Sequence, residues 1–158
     1  MPHLWCGHGV SRRVRLRRHK HGPIKHDIAL LGESQTAICV CPTTERDLAD
    51  GIGPARELAD AGAIVALATD FNPGSAFCNS LPLVMSLACM QLGMSPAEAL
   101  VACTVNAAWV LRRGDRLGRI AAGYDGDVVL LDSDDWRHAA YHLGGPAVAG
   151  AIKAGRRL

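Results

Sequence analysis

Two stretches of this 158-residue chain hold neither a charge nor a polar alternation: "TAICVCP" (36–42) and "AIVALAT" (63–69). A strand with one wet face alternates between apolar and polar residues. A strand that is apolar on both faces must be covered on both, which is the situation of parallel sheets. Between the two runs lies "TTERDLADGIGPARELADAG". Pro54 suits the first turn of a helix running to Asp60, and Gly62 suits its stop. Strand, helix and strand with short joints make a βαβ unit, whose crossover is expected to be right-handed. This unit confines the chain to the α/β class.

The remainder is consistent with that start. "SLPLVMSLACMQLG" places apolar residues at 81, 84, 85, 88 and 92 and closes on Gly93, which predicts a helix. "SPAEALVACTVNAAWVL" predicts a second helix, with Ser95 as N-cap, Pro96 at the first position and Glu98 at capping-box spacing. Thr104 and Asn106 fall inside it and are expected to face a neighbouring loop. A Gly-rich turn at 123–126 then leads into a strand at Val128–Leu131, and "AVAGAIKAGRRL" reads as a last strand with a glycine turn. A chain that opens with βα units and ends with short antiparallel strands suggests the end of an α/β domain followed by part of a small β-domain.

Composition bears on location and partners. No apolar run approaches the ~20 residues of a membrane span, and the N-terminus turns basic too early for a secretory leader. A cytoplasmic protein is expected, with no membrane partner. Cys39, Cys41, Cys78, Cys89 and Cys103 sit in apolar or helical contexts, where thiols act as small hydrophobes. Seven of the 17 Lys/Arg and none of the 15 Asp/Glu fall in residues 1–26, which leaves the rest at a net −5. The first 30 residues are therefore read as a separate basic segment, expected to be disordered.

Asp70 is the sharpest candidate for chemistry. It ends the second apolar run, directly before an Asn-Pro-Gly turn. In parallel α/β folds functional groups gather at the carboxyl ends of strands. A carboxylate there can ligate a metal or take a proton from a metal-bound water. Equally, an aspartate there can simply cap the following turn. The turn itself can present amides to an anion. Other motifs carry less. His19 and His21 have metal-ligand spacing, but their cationic neighbours repel a metal ion, so a solvated tail is the better reading. The same basic stretch could meet phosphates, yet it lacks interleaved aromatics, so nucleic acid is not an expected partner. Cys39 and Cys41 face one way without a second cysteine pair at finger spacing. His142, in a Gly-rich loop, ranks low.

The stretch "VALATDFNPGSAFCNSLPLVMSLACMQLGMSPAEALVACTVNAAWVL" resembles the imidazolonepropionases of the amidohydrolase superfamily. The likeness runs on through "LGRIAAGYDGDVVLLDSDDWRHAAYHLGG" to "IKAGRRL" and spans residues 37–158. One segment, "CPTTERDLADGIGPARELADAG", is also similar to formimidoylglutamate deiminases. The resemblance implies the C-terminal part of a metal-dependent (β/α)8 TIM barrel followed by part of a small β-sandwich. Residues 31–115 would be the last βα units and 116–158 the sandwich portion; residues 1–30 match nothing.

Residue by residue, the resemblance makes Asp70 the carboxylate at the end of barrel strand eight. It would ligate one Zn²⁺ or Fe and accept a proton from the attacking water. Asn72, Gly74 and Ser75 would contact substrate. The implied reaction opens the ring of 4-imidazolone-5-propanoate to N-formimidoyl-L-glutamate. The family is more than twice this length, and its histidine ligands lie upstream of the matched region; His19-Lys-His21 does not take their place. A catalytic zinc wants about three protein ligands, and this chain offers one. The chain is thus expected neither to hold zinc tightly nor to turn substrate over by itself, and its strand edges would need a partner, a homo-oligomer being compatible. Two other readings stay open: a formimidoylglutamate deiminase-like hydrolase, and a non-catalytic fragment whose basic arm binds nucleic acid.

Overall fold

A computed structural model describes residues 25–49 and 51–158. Helix α1 (Lys25–Gly32) leads into strand β1 (Ala37–Val40), and helices α2 (Pro42–Asp47) and α3 (Ala55–Asp60) carry the chain to strand β2 (Ile64–Leu67). The two charge-free runs are indeed parallel neighbours, paired from Ala37 opposite Ile64 to Val40 opposite Leu67. Ile38, Val40, Val65 and Leu67 join Leu58 of α3 in one apolar core, while Cys39 and Ala66 point the other way and are buried too. Burial on both faces is why neither strand could alternate.

Helices α4 (Leu81–Gln91), α5 (Pro96–Cys103) and α6 (Val105–Val110) complete the layer, with α5 and α6 against β2. Five consecutive residues of α4, Val84 to Ala88, are buried. A helix so enclosed needs no polar face, and α2, α5 and α7 surround it. Ser80 caps α4 through the Leu83 amide, and Gly93 follows its end at φ +68, a conformation that suits glycine. The capping box of α5 forms as predicted: Ser95 Oγ accepts from the Glu98 amide at 3.3 Å, and Glu98 Oε2 accepts from the Ser95 amide at 2.7 Å.

Two expectations change. Residues 25–30, expected to be disordered, lie in α1, which buries Ile28 and Leu31 in the core. Charge counting concealed that i, i+3 apolar pair. Second, the long helix expected after Ser95 breaks at Thr104 (φ −119, ψ −80). The Thr104 hydroxyl donates back to the Leu100 carbonyl at 2.7 Å, a local bond that competes with the helix ladder. Gly118, at φ +88, packs so close that a Cβ would lie 2.8 Å from the Thr104 carbonyl oxygen. After the break Asn106 faces a strand rather than a loop: its Nδ2 donates to the Val65 carbonyl at 2.8 Å.

Strands β3 (Val128–Leu131), β4 (Val148–Lys153) and β5 (Arg156–Arg157) form a separate antiparallel sheet in the order β3-β4-β5, with an irregularity between Leu130 and Leu131. Helix α7 (His138–Tyr141), inserted between β3 and β4, places Ala139 and Ala140 in the main core beside α4. Packing therefore crosses residue 116. No helix among the described residues is long and apolar enough to cross a membrane.

Candidate metal and substrate site at the strand ends

Asp70 lies three residues beyond β2 and is half-buried. Its backbone sits at φ +50, in the left-handed region that non-glycine residues enter at a cost. Neighbouring bonds hold it there. Thr43, buried at the start of α2, donates its hydroxyl to the Thr69 carbonyl at 2.9 Å. Asn72 donates Nδ2 to the Asp70 carbonyl at 2.6 Å. Both peptide units flanking Asp70 are thereby anchored. The side chain itself accepts the Thr44 hydroxyl on Oδ2 at 2.9 Å. Oδ1 has no protein partner among the described residues.

The carboxylate does not cap the following turn; Asn72 does. Its Oδ1 accepts from the Gly74 amide at 2.9 Å, from the Ser75 amide at 2.8 Å and from the Ser75 hydroxyl at 3.2 Å. Asn72 and Ala76 then close the loop as an antiparallel bridge. This is the Asx-turn chemistry typical of asparagine before Pro-Gly. Asn72, Gly74 and Ser75 thus come together beside Asp70, but the amides expected to greet an anion are already taken by Asn72. Phe71 and Phe77 flank the loop, exposed, with ring centroids 5.4 Å apart.

Cys41 lies near the same rim. Its thiol is raised well above the usual range, first by a hydrogen bond with Cys39, then by burial and by the negative charges of Asp70 and Glu45. Burial also pushes Cys103 up to about 12. Such thiols stay protonated and unreactive, as their apolar contexts suggested. His142 is exposed and pairs with the His138 ring at 5.1 Å, away from any cluster. His19 and His21 and the arginine-rich arm lie outside the described residues.

The chemistry of the donor set fits a divalent cation in part. Asp70 offers a fixed hard oxygen with one lone-pair side unspent. Among the described residues, however, no group of three His, Cys, Asp or Glu could hold a metal ion. Thr43 and Thr44 were not foreseen. Their only signal in the sequence was position: two hydroxyls directly after Pro42, at the end of one parallel strand, as Asp70 is at the end of the other.

The family model described as "Amidohydrolase family" matches residues 10–158, so the likeness reaches into the segment 1–30 that was expected to match nothing. The chain is 56% identical over 131 residues to the imidazolonepropionase of Rubrobacter xylanophilus, covering 83% of this chain and 32% of that protein. It is 44% identical over 135 residues to the imidazolonepropionase of Herpetosiphon aurantiacus, covering 85% and 31%. Among solved structures, an adenosine deaminase from Xanthomonas campestris with bound zinc superposes with a TM-score of 0.77 at 24% identity, over 85% of this chain and 34% of that one. The chain spans about a third of the length of the relatives it matches.

Proposed function

The chain belongs to the amidohydrolase family, and from that premise we propose that it supplies the strand-end carboxylate of an imidazolonepropionase. In this reading it contributes the end of a (β/α)8 barrel and part of a β-sandwich, and Asp70 serves the opening of 4-imidazolone-5-propanoate to N-formimidoyl-L-glutamate. The observation that carries it is the state of Asp70: a fixed carboxylate, half-buried at the end of β2, with one oxygen held by Thr44 and the other unspent. The 56% identity to the imidazolonepropionase of Rubrobacter xylanophilus supports that choice of substrate.

Ring opening adds water across the carbonyl carbon–nitrogen bond. A carboxyl oxygen forms, the bond to nitrogen breaks, and one proton of the water ends on the nitrogen. A divalent metal, zinc or iron, supplies Lewis-acid polarisation and a lowered water pKa when bound. Asp70 would give it one oxygen, accept the proton from the attacking water and pass it to the departing nitrogen. Asn72 would keep the 72–76 loop folded, and with Gly74 and Ser75 would form the wall against which the propanoate end rests. Its internal bonds make that wall rigid before substrate arrives, which lowers the entropy lost on binding.

The test is a chimera in which residues 37–158 replace the matching third of the Rubrobacter xylanophilus relative. Loaded with zinc, it is expected to consume the imidazolone, followed by loss of its ultraviolet absorbance. Asp70→Asn should lower kcat by about 10²- to 10⁴-fold. Ammonia release from N-formimidoyl-L-glutamate, with the imidazolone untouched, would replace this reading with the deiminase one suggested by the segment at 41–62.

A further inference from the structure

We propose that Thr44 is a positioning residue for Asp70, setting which carboxylate oxygen is left for a metal and water; this rests on the reading of Asp70 just given. A carboxylate's last torsion is broad and nearly two-fold, so an unrestrained Asp70 would offer either oxygen. A threonine hydroxyl has one proton to give. Thr44 gives it to Oδ2 at 2.9 Å, and this distinguishes the two oxygens.

Thr44 is itself well held. It lies in the first turn of α2, next to Thr43, whose hydroxyl ties the same turn to the Thr69 carbonyl. Its branched side chain has few rotamers. The next residue, Glu45, donates its amide to the Cys41 carbonyl at 3.1 Å and accepts the Gly53 amide on Oε2 at 3.0 Å. The loop after β1 is thus built as a support for the residue after β2, across a gap of 26 positions. Partners one step behind a metal ligand commonly change metal affinity or rate by about 10- to 100-fold when removed.

The decisive pair is Thr44→Val, which keeps the shape and deletes the hydroxyl, and Thr44→Ser, which keeps the hydroxyl. In the zinc-loaded chimera, Thr44→Val is expected to lower kcat about tenfold or more with KM unchanged. Zinc affinity, read by competition with a chromogenic chelator, should fall in the same variant, and Thr44→Ser should restore both. In the 158-residue chain, Thr44→Val should move the Asp70 side-chain carboxyl ¹³C resonance while Thr44→Ser leaves it in place. Wild-type kcat and zinc affinity in Thr44→Val would overturn the proposal, as would equal loss in both variants, which would assign the effect to packing. A chimera that binds zinc with this Thr44 dependence but leaves the imidazolone intact would overturn the substrate assignment and uphold the positioning role.

Discussion

The two sheets of this molecule are built from similar letters and live in different surroundings. Strands β1 and β2 are buried along three of their four residues, whereas β3, "VVLL", leaves Val129 56% and Leu130 42% exposed. An uncharged apolar run therefore states that a strand can be covered, not that it is. The coverage comes from elsewhere in the chain: α3, α5 and α6 lie on β2, while the antiparallel sheet touches the main core through Leu131 and otherwise relies on its own ladder and on ion pairs such as Asp127 with Lys153. Surface pairs of that kind contribute little and weaken with salt. The lesson is that the rim carrying Asp70 rests on the covered region.

The strongest way to break this contrast is to hollow the covered side. Leu58 is fully buried between α3 and the strands, and Leu58→Ala is expected to cost about 2–5 kcal/mol in urea unfolding. A loss under about 1 kcal/mol would show that the parallel layer is no better packed than the other sheet.

Next comes the helix layer that supports it. Arg56, then Ser95, hold the Glu98 carboxyl down to about 2 from an ordinary 4.5. Glu98→Ala should cost about 1 kcal/mol near neutral pH, mostly through the lost capping box, because the ion pair itself is a third or more exposed. A depressed carboxyl stabilises above its unfolded value and ceases to do so as pH falls through its folded one. The gap between wild type and Glu98→Ala should accordingly be full above pH 4.5 and shrink toward pH 2, checked by urea midpoints over that range.

On the exposed sheet, Val129→Ala should change stability by less than about 0.5 kcal/mol. A larger loss would mean that this face is covered in solution. The smallest effect expected is for Asp127→Asn. Asp127 accepts the Ala154 amide at 2.9 Å and pairs with Lys153 at the β4–β5 turn. Faster amide exchange at Ala154, with the unfolding midpoint unmoved, is the expected result.

What could be read from the letters followed a rule of reach. The two apolar strands, the Ser95–Glu98 box and the glycine after α4 are each specified within a few residues, and each appears. Asp70 at a strand end was legible for the same reason. The Thr44–Asp70 bond joins residues 26 apart, so it depends on β1 and β2 lying side by side in register, which spacing alone does not state. The break at Thr104 depends on Gly118 arriving from a later loop. Asn72 is local too, but its oxygen could serve the turn or a visitor, and the sequence does not say which; the structure gives it to the Gly74 and Ser75 amides.

The Asn106 side chain has a consequence for growth of the parallel sheet. Ala68 gives its amide to Val40 on β1, so by strand alternation the Val65 carbonyl looks toward the opposite, outer margin of β2. There the Asn106 amide sits on it. A newcomer strand zipping along that margin meets an acceptor already in use, with a side chain lying beside it. One asparagine thus stands on a stretch of edge that strand pairing would otherwise use.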